Sequence, residues 1–114
     1  MDDKRLQARL RVRWRVALRN TQHPLVYGET LDVSLGGAGI LSETSLAGGS
    51  EIDLFFQIPP KQAGKPQSVV ETRARVQYGA FSPKHNLWRL GIQFLQFKGK
   101  GKEILERAIR QAGG

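Results

Sequence analysis

The chain has 114 residues and a formal net charge of +8, with 39% hydrophobic residues, 25% charged residues and no cysteine. This length fits one domain, the apolar content excludes global disorder, and the lack of cysteine excludes disulfides and thiolate metal sites. The positive charge favours anionic partners such as nucleotides, nucleic acid or lipid headgroups, without choosing among them.

The sequence contains no candidate membrane segment. No apolar run approaches the about 20 residues of a membrane-spanning helix, and the first residues lack the apolar stretch of a signal peptide. We therefore expect a cytoplasmic protein without membrane insertion. Residues 1–10 precede any core-facing pattern and are interpreted as a flexible N-terminal arm.

Strict alternation of apolar and basic residues predicts a first strand that begins at Val12 and ends before the turn at residue 20. The apolar row is Val12, Trp14, Val16 and Leu18, and the basic row is Arg11, Arg13, Arg15 and Arg19. We interpret the apolar row as core. The arginines, on the opposite side of the strand, are expected to form a solvated outer face.

Runs of strand-forming residues between turn signals predict five further strands, at residues 25–33, 38–41, 52–58, 69–78 and 87–97. After residue 101 the spacing of apolar residues becomes helical, which predicts one amphipathic helix over about residues 102–111. Six short strands and an appended helix favour an all-β fold, a small antiparallel barrel over residues 11–98 with a C-terminal helix at 101–112.

Two motifs carry chemistry for an anionic ligand. Arg5 and Arg9 form an R-L-Q-A-R pair, and a guanidinium can grip phosphate oxygens or the O6/N7 edge of guanine with two hydrogen bonds. The run from Asp32 to Gly37 ends a strand, where alternation predicts that Asp32 and Ser34 share a face. A carboxylate there can accept from guanine N1 and N2, and a glycine lets the backbone approach the base. The same residues would also occur in a hairpin turn that binds no ligand, since Asp, Ser and Gly all favour turns.

The two motifs together resemble the RxxxR and D/NxSxxG motifs of the PilZ domain, a bacterial receptor for cyclic di-GMP. The strand over residues 12–16 and the Trp88-to-Phe94 strand extend the resemblance over most of the chain. The resemblance implies a six-stranded PilZ-type barrel and a cyclic di-GMP site, with no further cofactor. Its residues would be Arg5, Arg9, Asp32, Ser34 and Gly37, with Lys4, Gly36 and Gly39 as additional candidates.

By the same resemblance, the protein would be a receptor or adaptor that moves its arm on ligand binding and signals to a downstream protein. Motility and biofilm formation are processes that it makes plausible. Lys4 stands where the family often has another arginine, and it supplies charge without the planar fork.

Three alternatives stay open from the sequence. An enzyme is disfavoured, because His23 and His85 fall in separate predicted loops without metal-site spacing and Ser34 has no partnered base. A barrel that binds single-stranded nucleic acid would need aromatic side chains on the same face as the arginines, whereas Trp14, Phe55 and Phe56 are interpreted as core. A ligand-independent protein adaptor would not need both motifs.

Overall fold

The computed structural model describes residues 8–113, which form six strands and a C-terminal helix. The elements are β1 (Arg15–Arg19), β2 (Val26–Val33), β3 (Gly37–Ser42), β4 (Glu51–Ile58), β5 (Ser68–Ser82), β6 (Leu87–Phe97) and α1 (Gly101–Gly113). All strand pairs are antiparallel and close a barrel in the order β1-β2-β3-β6-β5-β4. The predicted fold class is therefore confirmed.

Alternation along each strand fills the barrel with apolar side chains. Phe56 lies at its centre, and Trp14 and Phe94 pack edge to face against it at centroid distances of 6.5 and 5.5 Å. Such pairs are favoured because the positive ring edge meets the negative ring face. The predicted inner row of the first strand is largely confirmed, since Trp14, Val16 and Leu18 are buried and Val12 packs partly buried against the core.

The helix α1 packs on β5 and covers apolar surface of the barrel. Leu105 and Ile109 are buried, with Ile104 and Ala108 partly buried beside them, which is the helical face that the sequence spacing predicted. Glu103 in the first turn and Arg110 in the last turn complement the helix dipole. Between residues 8 and 113, no helix combines the length and the apolar character needed to cross a membrane.

The first strand begins later than predicted, at Arg15 rather than Val12. The cause is Thr30, a buried residue of β2. Its side chain hydrogen-bonds the residues just ahead of β1, where regular strand pairing would otherwise continue. Its hydroxyl donates to the Val12 carbonyl and accepts from the Trp14 amide at 2.9 Å. These side-chain bonds satisfy the Val12 carbonyl and the Trp14 amide, while the Trp14 carbonyl accepts from the Thr30 backbone amide at 2.9 Å.

The strand β5 is longer than predicted, because it continues past Tyr78 to Ser82 as one arm of a hairpin with β6. Residues 77–81 are exposed on both faces of the strand, so the alternation that marks a half-buried strand is lost there. The predicted turn ahead of β6 is present, and Asn86 adopts a φ of 55° within it.

Candidate functional site

A reciprocal pair of backbone hydrogen bonds attaches the N-terminal segment to the end of β2. The Leu10 amide donates to the Val33 carbonyl at 2.8 Å, and the Val33 amide donates to the Leu10 carbonyl at 2.9 Å. Leu10, the last residue of the predicted arm, is therefore paired with the barrel. This bridge positions the preceding residue, Arg9, beside β2.

Asp32 is the centre of the site. Its Oδ1 accepts a hydrogen bond from the Gly39 amide at 2.9 Å and another from Nη1 of Arg9 at 3.1 Å. The Arg9 side chain is 53% exposed and that of Asp32 is 22% exposed. The pair thus presents a guanidinium and a carboxylate side by side at the surface. The adjacent residue of β3 is Gly39, which has no side chain.

Ser34 does not share the outward direction of Asp32. It is 6% exposed, because the chain turns there and its polar groups bond within the turn. The Ser34 hydroxyl donates to the Gly37 carbonyl at 3.4 Å and accepts from the Gly36 amide at 3.3 Å, and its amide donates to the same carbonyl at 2.8 Å. These contacts give Ser34 a role in holding the turn, while its contact with ligand remains a prediction.

The glycines of the motif run, Gly36 in the turn and Gly37 and Gly39 in β3, have different surroundings. A Cβ on Gly37 would lie 2.2 Å from the carbonyl oxygen of Ile92, so glycine is needed there for β3 to approach β6. A Cβ on Gly39 would lie 3.0 Å from Oδ1 of Asp32, whereas one on Gly36 would meet no heavy atom within 4 Å. Gly37 therefore serves barrel packing, and Gly39, which the sequence assigned only as an additional candidate, lies directly against the central carboxylate.

The structure thus brings together Arg9, Asp32, Gly37 and Gly39 near one end of β2 and β3. Lys4 and Arg5 lie outside the described residues. The motif pattern stops at Gly37 and so does not mark Gly39 as a site residue, but strand pairing with Asp32 does. This arrangement offers a guanidinium cation and two carboxylate oxygens that accept hydrogen bonds, beside backbone that carries no side chain at Gly39. It suits a ligand that has both acidic groups and hydrogen-bond donors.

The outer face of the barrel differs from the prediction in one respect. Phe55 is not core: it lies half-buried on the outer face, with the Arg19 guanidinium 5.0 Å from its ring centroid, and the neighbouring Tyr27 is 58% exposed. Its position between the buried residues Leu54 and Phe56 dictates this direction. Aromatic and basic side chains do therefore share a face.

Carboxylates accompany the arginines of this outer face. Arg13 pairs with Glu29, and Arg19 and Arg73 both donate to Asp53, at 3.4 and 3.2 Å. Partial burial by itself raises the pKa of Asp53, but the hydrogen bonds from Arg73 and Arg19 outweigh it and hold the pKa below its ordinary value of 3.8. The face has mixed charge, which weakens the case for a groove that follows a nucleic-acid backbone.

Comparison with known proteins places this geometry in a family. The family model of the PilZ domain matches residues 3–111. No curated protein matches the chain. Similar solved structures include the inhibitor of motility MotI/DgrA from Bacillus subtilis and the PilZ domain of YcgR from Escherichia coli, which was solved with c-di-GMP.

The similarity to both structures is in the fold. MotI/DgrA gives a TM-score of 0.73 at 17% identity, over 90% of this chain and 48% of its own, so this chain spans about half its length. The YcgR domain gives a TM-score of 0.65 at 19% identity, over 91% of this chain and 84% of its own. Because the family model covers nearly all of the described residues and the barrel agrees with both folds, the chain belongs to the PilZ domain family.

Proposed function

We propose that this domain is a receptor for cyclic di-GMP, which binds against the outer surface at the β2–β3 turn. The observation that carries the proposal is the meeting of the Arg9 guanidinium and the Asp32 carboxylate at 3.1 Å on an accessible surface. Membership of the PilZ family and the c-di-GMP in the YcgR structure support the choice of ligand.

The chemistry of the ligand matches the two groups. Each guanine has N1 and N2 donors for a carboxylate, and the phosphodiesters and the O6/N7 edge are acceptors for a guanidinium. In the proposed complex Asp32 accepts from a guanine and Arg9 donates to phosphate or to the O6/N7 edge. Arg5 supplies the second guanidinium, and Ser34 and Gly37 shape the turn on which the ligand lies.

Signalling is proposed to use the segment ahead of the Leu10–Val33 bridge. Fixing a backbone residue costs about 1–2 kcal/mol, so ordering this segment needs several contacts at once, which the ligand and both arginines would provide. A ligand that binds the closed segment more strongly shifts the population toward it. The closed form would present a surface to a downstream protein, and no covalent step, metal or further cofactor is required of this cytoplasmic receptor.

The test is a calorimetric titration of cyclic di-GMP into the wild-type protein and into Arg5→Ala, Arg9→Ala and Asp32→Ala. Each change should weaken binding by about tenfold or more, because each removes hydrogen bonds to a charged group. Arg15→Ala is the matched control, since it removes the same charge from an exposed position on β1. Wild-type affinity in all three site variants would remove the proposed site.

Titrations of the wild-type protein distinguish the receptor from the two remaining alternatives. Titration with single-stranded oligothymidylate under the same salt conditions tests the nucleic-acid alternative, which tighter binding than to cyclic di-GMP would favour. A wild-type protein that binds neither ligand would leave the adaptor that works without nucleotide.

A further inference from the structure

Four residues lie in one row across four neighbouring strands of the barrel. Asp32 in β2 pairs with Gly39 in β3, Gly39 pairs with Gly91 in β6, and Gly91 pairs with Tyr78 in β5. Two side chains therefore flank two adjacent backbone positions that have none. The row begins at the carboxylate of the candidate site and ends at an aromatic ring.

A break in strand register directs each flanking side chain to the outer surface. The pairing of β2 with β3 shifts between Thr30 and Asp32, and that of β5 with β6 shifts between Val76 and Tyr78. Thr30 and Val76 are fully buried, so regular alternation would also turn the residues two positions later inward. The extra residue in each strand reverses this direction, as β-bulges commonly do beside binding sites.

The Tyr78 ring lies on the backbone of Gly91. Its Cε1 is 2.2 Å from the position that a Cβ on Gly91 would occupy, and the residue is 52% exposed. Asp32 lies over the next glycine in the same way, with Oδ1 3.0 Å from the Cβ position of Gly39. Because Gly39 and Gly91 are direct strand partners, the carboxylate and the ring cover neighbouring positions of one flat surface.

We infer that Tyr78 is a further ligand-binding residue, an aromatic platform on which one guanine base of the cyclic dinucleotide stacks while Asp32 holds that base by its edge. This rests on the proposed function and adds a residue to the same site. A purine has a flat face and a polar edge, and the row presents an aromatic face and a carboxylate for them. Because the paired glycines have no side chains, the ring and the carboxylate can lie directly on the backbone in neighbouring positions.

A purely structural role is the competing explanation, since an aromatic ring can cover a glycine in a strand simply to protect it. Tyr78→Phe and Tyr78→Leu distinguish the two roles. Phenylalanine keeps the aromatic face, whereas leucine keeps apolar cover over Gly91 without it. Phe81→Leu is the matched control, because Phe81 is a 48% exposed aromatic residue of the same strand, three positions along and hence on its opposite face.

The experiment titrates cyclic di-GMP into the wild-type protein and the three variants by calorimetry, with thermal unfolding to verify the fold of each. Tyr78→Leu should weaken binding by about 5- to 150-fold, the range for losing one base–aromatic stack. Tyr78→Phe and Phe81→Leu should bind within about threefold of wild type, well inside that range. In NMR spectra of the bound ligand, a guanine H8 resonance should move upfield with wild type and Tyr78→Phe but not with Tyr78→Leu.

A second change acts on the ring through the backbone. Gly91→Ala places a methyl group where the Tyr78 ring lies and forces the ring away, so it should weaken binding in the wild-type background. In the Tyr78→Leu background the same change should have little further effect, because the platform is already lost.

The outcomes separate the two proposals. No cyclic di-GMP binding by the wild-type protein would overturn the receptor proposal and this one with it. Wild-type binding that depends on Arg9 and Asp32, with equal affinity in Tyr78→Leu and Tyr78→Phe, would overturn the stacking role alone.

Discussion

The guanidinium of Arg9 and the backbone amide of Gly39 both donate to the same oxygen of Asp32, Oδ1, at 3.1 and 2.9 Å. The second oxygen of this carboxylate has no protein donor among residues 8–113. The amide fixes the direction of the carboxylate, and the carboxylate in turn orients the guanidinium. A ligand with two donors on one edge can therefore use the second oxygen and share the first.

The planar fork of Arg9, and not its charge alone, should determine affinity. Arg9→Ala should weaken cyclic di-GMP binding by about 10- to 150-fold, the equivalent of about 1.5–3 kcal/mol for hydrogen bonds to a charged group. Arg9→Lys keeps the charge but not the geometry, and an exposed ionic contact contributes less than about 1 kcal/mol. Lysine should thus recover less than about fivefold of the loss. Calorimetry at two salt concentrations measures the affinity of each variant and its salt dependence.

Salt provides the internal control for this prediction. The retained charge of Arg9→Lys should leave the salt dependence of binding near that of wild type, and Arg9→Ala should reduce it, because screening weakens exposed charge interactions. Near-complete recovery of affinity by lysine would contradict the bidentate contact and assign Arg9 a purely electrostatic role.

Substitutions at Gly36, Gly37 and Gly39 should separate effects on folding from effects on binding. Gly37→Ala forces the backbone of β3 away from the Ile92 carbonyl and should lower the free energy of unfolding by about 1–3 kcal/mol or more. Gly39→Ala meets only the side chain of Asp32, so it should displace the carboxylate and weaken ligand binding at small cost to stability. Gly36→Ala has open space and should change neither quantity.

Urea denaturation and calorimetric titration of the same three variants measure the two effects. Gly36→Ala is the control for adding a methyl group to this turn. Equal stability of Gly37→Ala and Gly36→Ala would show that β3 and β6 can separate locally and that Gly37 is not required for the barrel.

The fold was predictable because most strands have one buried face. Along β1 and β4 every second residue is buried, and these buried positions are apolar, while the helix follows from the spacing of Ile104, Leu105 and Ala108. The start of the first strand was not predictable in this way. It depends on the hydroxyl of Thr30, which is distant in sequence and bonds the Val12 carbonyl and the Trp14 amide in place of a strand partner.

The site was predictable in composition but not in geometry. The motif residues Arg9 and Asp32 do meet, as their chemistry suggested. Period-two reasoning fails at the two register shifts, however, because one inserted residue reverses the direction of every side chain that follows it. Ser34 departs from the alternation for another reason, because the chain turns after Val33 and buries it. The shift between Val76 and Tyr78 leaves no mark in the sequence, so alternation does not identify the outward direction of Tyr78.

Trp14 should be among the most important residues for stability. It is 6% exposed and packs against Phe56, so Trp14→Ala should lower the free energy of unfolding by about 3–5 kcal/mol through lost burial and the cavity left behind. Urea denaturation followed by far-UV circular dichroism measures this without relying on tryptophan fluorescence. Trp88→Ala is the matched control, because Trp88 is half-buried and packs on Phe81 at the exposed hairpin. A cost as small as that of Trp88→Ala would mean that the barrel interior collapses around the missing ring.

The ion pairs of Asp53 should contribute to stability only above acidic pH. Its folded-state pKa lies below 3.8, so the unfolded chain binds the proton more readily and the contribution is present above that value. It is lost as the pH falls through the lower folded-state pKa. Asp53→Asn keeps the size of the side chain and removes the charge, and it should lower the free energy of unfolding at pH 7 by up to about 1 kcal/mol, as for an exposed ion pair.

Urea denaturation of wild type and Asp53→Asn across a pH series measures the difference between them. The difference should shrink below the ordinary pKa of 3.8, because the wild-type carboxylate then becomes protonated as well and both proteins lack the charge between Arg19 and Arg73. Glu43→Gln is the control, since Glu43 is exposed and has no ion pair within the described part of the chain. A difference that stays constant with pH would assign the effect of Asp53 to packing, because only the ionised form can hold both guanidinium groups by charge.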